Sequence, residues 1–204
     1  MNRLLLIRHA LNDWVGKRIP GWSPGISLNE EGRRQATRLA KRLEPVPLEA
    51  VYSSPLERAV QTAEPIAESH GLGIELRDGL KDTRYGELTG QSIEDVLMTD
   101  VWKEFRAYPS RTRFPGAETI YEVQVRVVAE LEKMLEAHPE GNIAVLAHGD
   151  VIRVAVTHYI GLSLDLLDRI WVSPASVSVL RFGTWGPRLT HLNLTGPLDF
   201  LTKT

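Results

Sequence analysis

The sequence predicts an α/β fold, a three-layer sandwich in which a mostly parallel central sheet carries helices on both faces. Two observations lead there. Residues 4–7 and 142–147 are short apolar runs that stop at charged clusters, the pattern of strands buried on both faces of a parallel sheet. Around them, helical periodicities alternate with strand-like runs, the order that builds βαβ units. The 204 residues fall within the range one α/β domain fills, and no repeat, low-complexity segment or composition shift marks a linker. Residues 1–204 are therefore expected to form a single domain.

Residues 4–7 end at Arg8-His9, and a loop with Pro20, Gly21, Pro24 and Gly25 follows. Ser27-Leu28-Asn29-Glu30 reads as a capping box opening a helix with the apolar stripe Ala36, Leu39, Ala40 and Leu43, ended by Pro45 and Pro47. Residues 50–53 form a second short strand. Ser54-Pro55-Leu56-Glu57 then supplies a cap, a proline at the first helical position and a capping glutamate, which puts Arg58 in the first turn of a helix. Gly71 and Gly73 close it; residues 74–76 make a third strand and 78–90 a polar loop. One helix is expected over 92–107, then a loop over 108–116 with Pro109 and Pro115. Ile120, Val123, Val127, Leu131 and Met134 mark a long amphipathic helix. Residues 142–147 end at His148-Gly149-Asp150, which opens a helix through Val151 and Val154. Alternation over 177–182 and again over 188–194 predicts a closing pair of strands.

Charge and composition exclude several classes of function. Lys and Arg number 24 against 26 Asp and Glu, a net charge of -2, so the strongly basic field of a nucleic-acid binder is missing and anion recognition must be local. The cluster Arg33, Arg34, Arg38, Lys41 and Arg42 sits at pair spacing behind Glu30 and Glu31, which reads as a solvated helix face. With no cysteine there is no disulfide, thiolate nucleophile or Cys-based zinc site, and the six histidines show no close ligand pairing. No metal and no cofactor are expected. The apolar run before Arg8 is too short for a signal peptide or membrane span, so the chain is expected to be cytoplasmic, without membrane contact. A homo-oligomer stays open.

In an open parallel sheet, ligands bind beyond the carboxyl ends of the strands, where residues distant in sequence converge. Three such ends carry distinctive groups: Arg8-His9, Arg58 and His148-Gly149. Two arginines and two histidines describe an anion site, because the planar guanidinium fork matches phosphate oxygens. Phosphoryl transfer is the chemistry that most needs it, being mainly positioning and electrostatic stabilisation of charge on the equatorial oxygens. Neutral His9 is a competent nucleophile, and Asp82 is the best-placed proton donor, with Asp150 and Asp13 as competitors. The remaining histidines, His70, His138, His158 and His191, read as structural. Trp22, Trp102 and Phe105 are candidates for the pocket wall or for core packing, and Arg111 and Arg113 for further cations at the phosphate end or for exposed loop arginines.

The runs Leu5-Leu6-Ile7-Arg8-His9-Ala10, Ser53-Ser54-Pro55-Leu56-Glu57-Arg58-Ala59-Val60-Gln61-Thr62-Ala63 and Val145-Leu146-Ala147-His148-Gly149-Asp150 resemble the histidine phosphatase superfamily, in its phosphoglycerate-mutase-like branch. The resemblance extends to residues 28–36 and to Gly116-Ala117-Glu118-Thr119, and so covers nearly the whole chain. It implies a phosphoglycerate-mutase-like sandwich, phosphorylation of His9, a phosphate held by Arg8, Arg58 and His148, and a carboxylate donor that falls on Asp82. Asn12 and Gly149 join the substrate-binding set. Three positions depart from the pattern. The usual Gly after the Arg-His pair is Ala10, a Thr and an Asn that line the phosphate are Asn12 and Val15, and the usual Glu donor is the shorter Asp82.

The expected function is hydrolysis of a small phosphorylated metabolite through a phosphohistidine on His9. A cofactor-dependent phosphoglycerate mutase is the first alternative; mutases of this kind resemble longer chains with a cap, for which residues 90–116 leave little room. An inactive relative that only binds phosphate is the second.

Overall fold

The computed structural model describes residues 2–202. Its elements are β1 (Asn2–Arg8), α1 (Glu30–Leu43), β2 (Ala50–Ser53), α2 (Glu57–His70), β3 (Ile74–Leu76), α3 (Ile93–Leu97), α4 (Asp100–Ala107), α5 (Ile120–Ala137), β4 (Gly141–Ala147), α6 (Gly149–Ile160), β5 (Val177–Gly183) and β6 (Gly186–Leu194). The strands form one sheet in the order β3-β2-β4-β1-β5-β6. Strands β1 to β4 pair in parallel, and β5 joins β1 and β6 antiparallel. This is the expected mostly parallel α/β sandwich.

The uninterrupted apolar runs follow from burial on both faces. Leu4 and Leu6 of β1, with Tyr52, Ile143 and Val145, meet Val123, Val127, Leu131 and Met134 of α5 and the apolar side of α6. Leu5 and Ile7 alternate to the other face with Val51, Ala144 and Leu146, against Leu39 and Leu43 of α1 and Ala63 and Ile66 of α2. A third, smaller core of Ile19, Leu88, Val96, Phe114 and Ala117 lies away from the sheet, with Trp102, Phe105 and Ile93 packed on it. No helix among the described residues is long and apolar enough to cross a membrane.

Three local expectations need correction. Helix α1 is capped by Asn29, whose Oδ1 accepts the Gly32 N–H at 2.8 Å, while Ser27 instead receives the Gln61 amide. Asn29 prevails because it sits immediately before the first helical residue. Helix α2 has Leu56 at its cap with no side chain capping it, because the Ser54 hydroxyl points to His148. The stretch 92–107 is two helices, α3 and α4: Thr99 accepts from the Trp102 N–H and starts a new helix. The polar loop over 78–90 contains two short 3-10 turns, at Asp78–Leu80 and Gly86–Leu88.

The register explains how distant residues meet. Arg8 of β1 lies opposite Ala147 of β4, so the next residues, His9 and His148, leave adjacent strand ends side by side; the His9 N–H still donates to the Ala147 carbonyl at 2.9 Å. On the far side of β4, the Ser54 N–H donates to Leu146 O, which fixes the chain as it turns into α2 and Arg58. The loop after His9 is held by α1: Gln35 accepts from the Leu11 N–H, and the Leu11 carbonyl accepts from the Asn29 N–H.

Gly32 makes that contact close, since a Cβ there would stand 1.9 Å from the Leu11 oxygen. Gly→Ala inside a helix usually gains about 1 kcal/mol. Here Gly32→Ala should instead destabilise by about 1–3 kcal/mol through overpacking. Urea unfolding measures this, and a midpoint at or above wild type would contradict the contact.

Candidate active site

The site lies at the carboxyl ends of β1, β2 and β4. His9 is 3% exposed, and its Nδ1 donates to the Ala10 carbonyl at 2.8 Å, the arrangement that leaves the Nε2 lone pair for attack. Ala10 has an ordinary negative φ, so its Cβ costs nothing where the family usually has glycine. Its N–H donates to Thr62 Oγ1, and that hydroxyl donates to the Arg58 carbonyl, tying the loop after His9 to the first turn of α2.

His148 is fully buried, its ring centroid 5.2 Å from that of His9. Ser54 Oγ accepts the Leu56 N–H and keeps its own hydrogen for His148 Nε2 at 2.8 Å. That assignment puts the imidazole proton on Nδ1, which faces Asp82 Oδ2 at 3.6 Å. Arg58 is 0% exposed; its Nη2 donates to Gly21 O and to Asp82 Oδ2, both at 2.9 Å. Arg8 Nη1 donates to Val172 O, and Gly149 packs against its guanidinium, with a notional Cβ 3.6 Å from Cζ and Nε. Gly149 and Asp150 line the cavity in front of His9, so α6 presents its N-terminus there, the end of a helix suited to anions.

Asp82 is 6% exposed and firmly held. Its Oδ1 accepts the Thr83 N–H at 2.9 Å, its backbone oxygen accepts from Trp22 Nε1 and Arg126 Nη2, and Arg126 also donates to the carbonyls of Gly79 and Lys81. Arg126 is anchored in turn by Glu118, at 2.8 Å from its Nε. Of the competitors, Asp13 is exposed and bonded to Asn29, while Asp150 lines the cavity but is occupied by Tyr85 and Arg153.

Electrostatics sharpen the picture. Burial, reinforced by the neighbouring His148 and by the charges of Arg58 and Arg8, holds the His9 imidazole well below its ordinary range. Burial followed by Arg58 and Arg8 does the same to His148. Burial pushes the Asp82 carboxyl up, against the opposing pull of Arg58. Two neutral imidazoles and one carboxyl biased toward its protonated form therefore sit among fixed guanidinium charges.

Among the described residues, most of the buried side-chain nitrogens with no hydrogen-bond partner belong to residues of this site or of the cavity wall. They are Arg8 Nε, Arg58 Nε and Nη1, and His148 Nδ1, with Trp102 Nε1 and Arg153 Nε on residues of the cavity wall; the exception is Asn12 Nδ2. Buried donors are normally paired, and leaving one unmade costs ~1–3 kcal/mol, more when charged. The cavity itself, about 210 Å³, is lined by Arg8, His9, Asp82 and Gly149; Arg58 and His148 adjoin it through Asp82 Oδ2, and Asn12 holds the loop through the Trp14 and Val15 N–H groups. No group of three or more His, Asp or Glu among the described residues is arranged to hold a metal ion.

The structure thus brings together Arg8, His9, Arg58, Asp82, His148 and Gly149, while Asn12 serves the loop after His9 through the Trp14 and Val15 N–H groups. It does not bring Arg111 or Arg113 to the cavity: Arg111 lies over Tyr108, and Arg113 pairs with Glu122. Trp102 and Phe105 do line it, as does Val15, while Trp22 serves the Asp82 backbone. Ser54, Tyr85, Arg126, Arg153 and Asp168 were not singled out by the sequence. Arg153 stands three residues after Asp150 on α6, a spacing that could have flagged it; the others depend on tertiary contacts alone.

A sheet, strand-end histidines and paired arginines of this kind define a phosphate-handling α/β protein, and the comparisons agree. The chain belongs to the histidine phosphatase superfamily (branch 1), whose sequence model matches residues 4–195. It is 30% identical over 200 residues to phosphoserine phosphatase 1 of Hydrogenobacter thermophilus, covering 96% of this chain and 93% of the relative. It is 28% identical over 203 residues to an uncharacterised phosphatase of Bacillus subtilis, covering 100% of each. Among solved structures, a phosphoserine phosphatase of Entamoeba histolytica in complex with 3-phosphoglyceric acid matches with a TM-score of 0.87 at 25% identity, over 96% of this chain and 98% of that one.

A pKa lowered from 6.5 means that at pH 6.5 less than half of His9 is charged, and charge appears only in more acid solution. NMR titration of the imidazole nitrogens in unliganded protein should give a His9 midpoint below 6.5. A midpoint at or above that value would contradict the neutral nucleophile.

Proposed function

We propose that this protein is a metal-independent phosphomonoester hydrolase acting on a small phosphorylated metabolite in the cytoplasm, through a phosphohistidine on His9. The observation that carries the reading is the convergence of unpaired buried donors from Arg8, Arg58 and His148 around one imidazole. A phosphoryl group offers several acceptor oxygens and the negative charge that two guanidinium groups lack.

In this reading His9 Nε2 attacks phosphorus as the ester P–O bond breaks, and the leaving oxygen takes the proton of Asp82. Charge on the equatorial oxygens is met by Arg8, Arg58, His148 Nδ1–H and the α6 N-terminus. Water then gives a proton to the Asp82 carboxylate and attacks phosphorus, the P–N bond breaks, and His9 is released with inorganic phosphate. The raised pKa of Asp82 favours its acid form before the first step, and its contact with Arg58 fixes its position. Fixed arginine charge takes the part that a metal ion has in other phosphoryl transfers, which is the basis for reading the reaction as metal-independent.

Phosphate release from 4-nitrophenyl phosphate and from an alkyl ester, with a chelator present, tests this. Wild type should turn over both with net phosphate release and no isomerised product, and His9→Ala should be inactive. Arg58→Ala should lower kcat/KM by about 10²–10³-fold on both esters. Asp82→Asn should cost about 10²-fold or more on the alkyl ester and far less on the nitrophenyl ester, whose leaving group needs little protonation. Activity lost to the chelator, or equal losses for Asp82→Asn on the two esters, would overturn the corresponding part.

A further inference from the structure

Beyond the phosphate end, the cavity is walled by Val15, Ile19, Ile93, Trp102, Phe105 and Leu167, contributed by the loop after β1, the two helices α3 and α4, and the turn at Leu164–Arg169. This wall has its own support. Trp102 stacks on Phe114 with centroids 5.8 Å apart and planes at 19°, Phe105 packs on Phe114 at 5.1 Å, and the small third core lies behind them. Rings held this way do not rearrange to suit a polar guest.

The carboxylates on the wall are already matched, while Arg153 Nε and Trp102 Nε1 are buried donors without a partner. Asp150 accepts from the Tyr85 hydroxyl and from Arg153 at 3.2 Å; Arg153 also stands 3.6 Å from Asp168, which is paired with Arg106 at 3.1 Å. Neither carboxylate is left to receive a substrate ammonium. Arg18, at the mouth, is exposed and donates to Gly90 O at 2.8 Å. The volume, about 210 Å³, falls below the ~300–1,000 Å³ of drug-sized pockets, which limits the guest to about one ring beside the phosphoryl group.

Resting on the phosphatase reading above, we infer that the leaving group this site selects is an apolar alcohol of about one ring in size, seated against Trp102, Phe105 and Val15, and that phosphate esters of alcohols bearing an ammonium are disfavoured. An ammonium placed on this wall would be stripped of water without a partner. A ring would gain by leaving water.

The test compares kcat/KM of the whole protein on 2-phenylethyl phosphate, ethyl phosphate, 2-aminoethyl phosphate and 3-aminopropyl phosphate. All four are esters of primary alcohols, so differences in leaving-group chemistry are small. The phenylethyl ester should exceed each of the others by about 10–100-fold, the gain expected from burying a ring-sized apolar group. Trp102→Ala should shrink its advantage over ethyl phosphate by about 10-fold or more. Because that change also opens a hole in an aromatic cluster, Val15→Asn is the second variant, and it should narrow the same ratio with the fold unchanged by circular dichroism. Either aminoalkyl ester turned over as well as the phenylethyl ester would overturn the inference and leave the phosphatase reading intact. Absence of turnover on every ester, 4-nitrophenyl phosphate included, would overturn both.

Discussion

A guanidinium with no exposure to solvent needs acceptors for its five N–H bonds, and Arg58 finds them at only one nitrogen, through Gly21 O and Asp82. Its other two nitrogens are buried without partners. The charge cannot be shed, because arginine does not deprotonate in proteins. Much of the surrounding architecture serves to hold it: the loop that brings Gly21, the first turn of α2, and the segment carrying Asp82, itself fastened through three carbonyls by Arg126. A fold selected for stability alone would place an apolar side chain here. Concentrating unmet donors at one point is the kind of local cost that proteins accept at functional sites.

The same constraint sets the protonation of its neighbours. Burial, reinforced by fixed positive charge, keeps both imidazoles neutral, which makes His9 a nucleophile and His148 a hydrogen-bond donor through Nδ1. Burial works in the opposite sense on the one carboxyl in contact with Arg58, so the acid and the nucleophile are poised by one environment. Neither effect would survive if the sheet were looser. It is the direct pairing of β1 with β4, and of β4 with β2, that sets His9, His148 and the start of α2 next to one another.

Much of this was legible in the sequence because it depends on local pattern. Apolar runs ending in Arg8-His9 and in His148 announced buried strands and their carboxyl ends, and Ser54-Pro55 announced the helix that carries Arg58. Most of what escaped depends on distance in space. Asn29 and Ser27 are both good caps, and only the point at which the helix begins, Glu30, decides between them. Ser54 looks like a cap and serves instead to orient His148. The break at Thr99 was hidden because its threonine is compatible with a continuing helix. Arg126 sits in an unremarkable amphipathic helix, and nothing near it in sequence reveals that it binds the carbonyls around Asp82. The ion pairs among Asp150, Arg153 and Asp168 join α6 to a later turn, and they matter because they neutralise a wall whose composition alone would read as charged.

The central claim is that one imidazole, set among cations the protein does not itself satisfy, accepts the phosphoryl group. Mixing the enzyme with a radiolabelled ester, quenching in base within the first turnover and mapping the label by mass spectrometry tests it directly. The label should be on His9 alone, base-stable and acid-labile, and should accumulate more weakly in Arg58→Ala. Label on another side chain, or turnover with no labelled protein at any quench time, would contradict it.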